Sequence, residues 1–236
     1  MVVVSCILGV MWSNWTYGSE SDDPLNKALV VVKENADLLE DIGQLLVVFN
    51  ETPENNSATL LAMEKKDNEW IAVSAPVVVG IGRKGFAAPN MKREGDHKSP
   101  TGIFRLGQLF SYEKDVDTRM PFIQTTKEDK WIDDPNSSDY NQYIRGATKA
   151  TSFENLKIGS DEYKYCMVIE YNMHPVVKGR GSAIFLHLSM GNVPNPSSGC
   201  VVVTQKDMEW LLKWMKPELK PSIIMGNEQV LISGLK

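Results

Sequence analysis

The run His187-Leu188-Ser189-Met190-Gly191-Asn192-Val193-Pro194-Asn195-Pro196-Ser197-Ser198-Gly199-Cys200 carries an imidazole at one end and a thiol at the other. Ile184-Phe185-Leu186 leads into it and Val201-Val202-Val203 follows it. Both flanks are β-branched or apolar and predict strands, and the Gly-, Asn-, Pro- and Ser-rich middle predicts a loop that can fold its two ends together. Strand alternation sets His187 on the face of Phe185 and Ser189, opposite Leu186 and Leu188. A thiol is a nucleophile only as thiolate, and a neighbouring imidazole can take its proton and stabilise the charge. Gly199 lets the turn tighten, so that backbone N–H groups can converge on a developing oxyanion. The run therefore predicts a Cys200–His187 nucleophile and base at the two ends of a loop between probable strands, with the remaining chain as scaffold.

In these residues the chain resembles the L,D-transpeptidase catalytic domain family (YkuD-type), whose signature is a His, a loop and then Ser/Thr-x-Gly-Cys. Here it reads His187 and Ser197-Ser198-Gly199-Cys200. Upstream, Gly95-Asp96-His97-Lys98-Ser99-Pro100-Thr101-Gly102-Ile103-Phe104 is similar to the family's G-D-x-x-[ST]-P-x-G-x-F segment. Asp133-Asp134-Pro135, Tyr140-Asn141 and Glu170-Tyr171-Asn172 match one branch of it, and the resemblance spans roughly residues 45 to 232. Two positions depart from the commoner form: Ser198 stands where it has His, and Val202 where it has Arg.

The resemblance implies an enzyme of the bacterial cell envelope acting on peptidoglycan stem peptides. Cys200 would attack the bond after the diamino-acid residue, release the terminal D-alanine and form a thioester. An amine of a second stem would resolve it as a cross-link; water would make the protein an L,D-carboxypeptidase. His187 would act as base and then acid, and the amides of Gly199 and Cys200 would receive the oxyanion. A main-chain carbonyl would orient His187. Ser197 and Ser198 would orient the loop or the substrate, and Arg180 would hold a substrate carboxylate in place of the missing arginine. No cofactor is implied. A reading of a different class, a non-catalytic peptidoglycan-binding domain, draws on Ser198 and Val202. A metal site from His187, Cys200 and His97 or His174 lacks any local ligand spacing.

Composition bounds the rest. The chain has 236 residues, 42% of them hydrophobic, with a net charge of −5, which suits one domain with a sizeable core or one domain and a small appendage. No basic run exceeds Lys65-Lys66, which excludes a nucleic-acid partner. Residues 1–22 pair an apolar start with an acidic end, as a signal peptide or lipoprotein-type segment would, with Cys6 in Val3-Val4-Ser5-Cys6 as the lipid-carrying residue. An apolar terminus without an export role is the alternative. Membrane contact is expected only through that anchor, and the location as extracytoplasmic. Three cysteines give no pairing scheme, and Cys166, in a strand-like run, is expected buried and inert. Oligomeric state leaves no sequence trace.

Leu25, Leu29, Val32, Ala36 and Leu39 recur at helical spacing between Pro24 and Gly43, so residues 23–44 predict an amphipathic helix or spacer. Residues 45–236 predict a mainly β catalytic domain with a few helices, a β-sandwich of mixed sheets opened by a meander of short strands over 45–79. Gly80-Ile81-Gly82-Arg83-Lys84-Gly85 matches G-x-G-x-x-G, but no helix follows to take a phosphate, so the glycines are assigned to a bend. Asp96 either lines the cleft as a substrate-binding residue or, in the favoured reading, caps its own turn. His97 is expected to be solvated and His174 to be a packing or surface residue. The long polar middle, 111–160, predicts a lid over the cleft. Thr204 with Asp207 predicts a helix N-terminus, with Met208, Leu211, Leu212 and Met215 as its buried stripe and Pro217 as its stop. Residues 221–225 and 229–232 predict closing strands.

Overall fold

The computed structural model describes residues 23–235; the expected N-terminal targeting segment and its Cys6 lie outside them. In chain order the elements are α1 (Pro24–Glu34), β1 (Gln44–Asn50), β2 (Ser57–Lys66), β3 (Glu69–Ala72), β4 (Val77–Gly80), β5 (Gly102–Ser111) and β6 (Phe122–Gln124). A small insertion follows, made of β7 (Asp129–Ile132), β8 (Tyr143–Arg145) and β9 (Phe153–Asn155). The chain then returns through β10 (Tyr165–Ile169), β11 (Phe185–Leu188), β12 (Val201–Val203), α2 (Gln205–Trp214), β13 (Ser222–Asn227) and α3 (Glu228–Ile232).

The mainly β prediction holds, but the β-sandwich does not. The main sheet runs β1-β13-β5-β10-β11-β12-β4-β2 and closes, because β1 pairs in parallel with β13 on one edge and antiparallel with β2 on the other. The result is a barrel-like sheet with β3 and β6 appended to β2 and β5. The physical reason lies in Leu45-Leu46-Val47-Val48-Phe49, buried on both faces. Leu46 and Val48 join the interior core, while Leu45, Val47 and Phe49 pack outward against Ala28, Val31, Val32 and Leu231. A strand covered on both sides reads as a continuous apolar run and needs partners along both edges.

Two local expectations are corrected. α1 stops at Glu34, where the Asn35 side-chain amide donates to Val31 O and to Leu231 O, and a separate 3-10 turn carries Ala36–Leu39. Its buried face is Lys27, Ala28, Val31 and Val32, leaving Leu25 and Leu29 exposed, because the helix packs against α3 and β1 through the small Ala28. Residues 229–232 form α3 rather than a strand. α2 is as expected: Thr204 Oγ1 accepts from Asp207 N–H, and Met208, Leu211, Leu212 and Met215 are buried.

The polar middle is not a bare loop. It folds into its own three-stranded sheet, β8-β7-β9, tied together by Asp129, which accepts from Tyr143 Oη, Arg145 and Thr126. Trp131 and Leu156 from this layer pack on Phe110, Phe185, Cys166 and Cys200 from the outer face of the barrel. The insertion is thus one wall of whatever the outer face of β11 presents.

Candidate active site

β11 pairs with β10 at Cys166↔His187 and with β12 at His187↔Val202. Leu186 and Leu188 enter the barrel core, as the alternation predicts, and Phe185 joins the outer cluster that contains Cys200. Cys200 (8% exposed) and His187 (6%) line one cavity of about 350 Å³ together with Ser197, Ser198 and Gly199. His187 Nδ1 lies 3.0 Å from Leu188 O. A carbonyl can only accept, so this contact puts the proton on Nδ1 and leaves Nε2 its lone pair. The expected main-chain carbonyl behind the histidine is thus that of Leu188. Tyr163 meets the ring edge-to-face at 5.2 Å between centroids.

The thiol is held by backbone. Phe185 N–H donates to Sγ at 3.4 Å, and the S–H donates to Ala183 O at 3.3 Å. Burial pushes the Cys200 thiol up to about 12 and pushes the His187 imidazole down. Both shifts favour the neutral pair, so the resting site holds a thiol and an imidazole rather than an ion pair. Cys166 is fully buried, and its thiol is likewise pushed up by burial.

The nucleophile loop is clamped from behind. Ser99 Oγ, fully buried, accepts from Gly82 N–H at 2.9 Å and donates to Gly199 O at 2.7 Å. Ser197 N–H donates to Ile81 O, and Arg83 N–H to Ser197 O. This is the work of the glycine-rich 80–85 segment. A Cβ on Gly80 would fall 2.2 Å from Asn195 O, and one on Gly82 would fall 2.6 Å from Ser99 N, so these positions are close contacts between chains rather than a phosphate cradle. Val202, which stands where the commoner form has arginine, is fully buried against Gly80 and is not in the wall of the cavity that holds Cys200.

The remaining predicted residues divide. Ser197 Oγ accepts from Gly199 N–H at 3.0 Å and donates to Cys200 O at 2.7 Å, so the Gly199 amide expected to serve an oxyanion already has a partner. Ser198 lies at the cavity mouth, its Oγ accepting from Arg83 at 3.2 Å. Asp96 caps its turn: it accepts from Arg93 N–H, Lys98 N–H and Lys92 Nζ, and it is not in the cavity wall. Arg180 lines a second cavity behind Lys92 and donates to Asn90 O. His97 is half-buried in the wall rather than solvated, with Nε2 2.6 Å from Arg83 Nη2 and Nδ1 without a hydrogen-bond partner. His174 is exposed and outside the wall.

Sequence reasoning missed the rest of the wall. Glu94, Asp133, Glu154 and Glu162 face the cavity, and among the described residues Lys92 is the only lysine or arginine that lines it. Burial raises the Glu154 carboxyl, and neighbouring Asp133 adds to the effect. The matched dipeptide Tyr140-Asn141 builds the entry to β11. Tyr140 Oη donates to Glu94 and accepts from Gly181 N–H, while Asn141 Oδ1 accepts from Trp131 Nε1 and Ala183 N–H. The adjacency of Lys92-Arg93-Glu94 to Gly95-Asp96 was a usable signal for Lys92 and Glu94; Glu154 and Glu162 sit in no pattern.

A buried histidine on β11 and a buried cysteine immediately before the neighbouring parallel strand β12 share one cavity, backed by a clamped glycine turn. Residues 53–230 match the model of the YkuD family, the L,D-transpeptidase catalytic domain, and the chain belongs to that family. No curated protein matches the chain. Among solved structures it is similar to the helical cell shape determining protein Pgp2 from Campylobacter jejuni, at 12% identity and a TM-score of 0.42, over 88% of this chain. The chain spans 59% of the length of that structure. Among the described residues no helix is long and apolar enough to cross a membrane.

Proposed function

We propose that the protein is a cysteine-dependent L,D-transpeptidase of peptidoglycan stem peptides, working outside the cytoplasm. The observation that carries this is Cys200 and His187 in one cavity of a chain that belongs to the family, with Nδ1 of His187 bonded to Leu188 O. Sγ attacks the carbonyl carbon of the scissile peptide bond while its proton passes to His187 Nε2. The resulting oxyanion collapses, the C–N bond breaks, and the departing D-alanine amine leaves with the proton from His187. The thioester on Cys200 is then attacked by an amine, which restores the thiol and gives a cross-link.

The acidic wall supports this choice of acceptor. Glu94, Asp133, Glu154 and Glu162 give the cavity a negative field that suits a stem peptide carrying a free ammonium group. Water in the amine's place would make the protein an L,D-carboxypeptidase. The thiol and imidazole are both neutral at rest and Sγ is bonded to backbone, which favours the binding-domain reading if turnover is absent. Purified tetrapeptide muropeptides incubated with the protein and with Cys200→Ala decide among these by mass spectrometry. Cys200-dependent dimers lacking one D-alanine are expected. Tripeptide monomers alone mean trimming, and retention on peptidoglycan without products means binding.

A further inference from the structure

We propose that Lys92 is the anion-stabilising residue of this site, its ammonium serving the thiolate of Cys200 and then the oxyanion of the carbonyl under attack. The inference rests on the acyl-transfer reading above and adds a residue to it. The Lys92 side chain is 5% exposed and threads between two glycines. Its Cε lies 3.2 Å from where a Cβ on Gly181 would stand and 3.7 Å from where one on Gly199 would stand, so the stem passes beside the residue before the nucleophile.

An ammonium has three N–H donors. Two are engaged, by Arg93 O at 2.9 Å and Asp96 Oδ1 at 2.6 Å; the third has no acceptor among the described residues. Lys92 lines the cavity of Cys200, whereas Arg180 lines the neighbouring cavity and Arg83, itself outside the wall, is engaged with Ser198 and His97. With the Gly199 amide bonded to Ser197, a donor is missing where the family resemblance expects one, and Lys92 is the cation placed to supply it. A preorganised charge in a site shielded from water is worth far more than the same charge in solvent.

A structural role, holding the 92–98 turn through Asp96, is the competing account, and two variants separate them. The charged and titratable groups around Cys200 are Lys92, Glu94 and His97 before β5, Asp133 after β7, Glu154 on β9, Glu162 and Tyr163 on a 3-10 turn at Asp161–Tyr163, Cys166 on β10 and His187 on β11. Lys92→Met removes the cation, whereas Asp96→Asn removes the anion that partly neutralises it. Both break the same ion pair, so a structural role moves both variants in one direction. An electrostatic role moves them in opposite directions.

The measurement is the pH dependence of Cys200 alkylation by iodoacetamide, read on the Cys200-containing peptide by mass spectrometry, in full-length protein without substrate. Near-ultraviolet circular dichroism checks the fold. The expected result is an apparent thiol pKa raised by about one unit or more in Lys92→Met and lowered in Asp96→Asn. Shifts of the same sign, or an unchanged profile in Lys92→Met with the fold intact, overturn the proposal. If Lys92→Met does not fold, a thiol profile unchanged or raised in Asp96→Asn overturns it by itself. The readout needs no muropeptide, so its failure is distinct from absence of transpeptidation.

Discussion

Removing one oxygen should unsettle the whole nucleophile loop. Ser99 Oγ accepts from Gly82 N–H at 2.9 Å and donates to Gly199 O at 2.7 Å, inside a fully buried residue. In Ser99→Ala both backbone groups lose their partner with no solvent to replace it, at about 1–3 kcal/mol each. Part of this is recovered by relaxation of the loop, so the expected loss is roughly 2–4 kcal/mol. For a chain of this size that is a fall in Tm of roughly 4–16 °C. Urea unfolding followed by tryptophan fluorescence measures it, with Ser198→Ala as the control. The Ser198 hydroxyl is exposed and bonds only to an exposed arginine, so its loss should stay within about 0.5 kcal/mol. If Ser99→Ala unfolds with wild-type stability, the clamp between the 80–85 segment and Gly199 does not hold the loop, and the account of the glycine-rich segment is wrong.

Acid should weaken the insertion. Burial works to raise the Asp129 carboxyl, but hydrogen bonds from Arg145, Tyr143 and Thr126 outweigh it and hold the group at about 2, below its ordinary 3.8. A carboxyl lowered by folding stabilises the fold above its unfolded value and loses that contribution as pH falls from about 4 to about 2, about 2 kcal/mol in all. Urea midpoints at pH 5 and pH 2.5 test this, and in Asp129→Asn that part of the pH dependence should vanish. The two glycines Gly85 and Gly95 offer a matched pair, with φ of +71° and +69°. A Cβ at Gly85 would meet Pro53 O at 1.8 Å, whereas one at Gly95 meets nothing within 4 Å. Gly95→Ala should therefore cost only the left-handed backbone penalty of about 1–2 kcal/mol, and Gly85→Ala clearly more. Equal losses in denaturant titrations would contradict the close approach of Gly85 to Pro53.

That Cys200 and His187 could meet was legible because their signals are local. Alternation from Phe185 gave the face of His187, and the Gly-Cys turn after a proline-rich loop pointed to Cys200. What was not legible depends on which segments meet. Period-2 alternation says which side of a strand is buried but not which strands lie beside it, so Leu45 to Phe49 fitted a sandwich as well as a closed sheet until both edges of β1 were seen to be paired. Leu25 and Leu29 fit the helical stripe, yet the tertiary contact chose Ala28 and Val31. Glu154 reaches the cavity because the insertion folds as a sheet and docks through Trp131 on Phe185, and Glu162 because the 3-10 turn Asp161–Tyr163 packs through Tyr163 on Phe185 and His187. Lys92 is polar by composition and buried by topology, between Gly181 and Gly199, which lie 89 and 107 residues further along the chain.

The central claim is that Cys200 is the nucleophile that carries the acyl group. Intact-protein mass spectrometry after rapid acid quench of a reaction with a purified tetrapeptide muropeptide tests it most directly. The account predicts a population heavier by the muropeptide less its terminal D-alanine, mapped to Cys200 by peptide sequencing, absent in Cys200→Ala and discharged by hydroxylamine. Product formation by Cys200→Ala, or an adduct mapped to another residue, would contradict it.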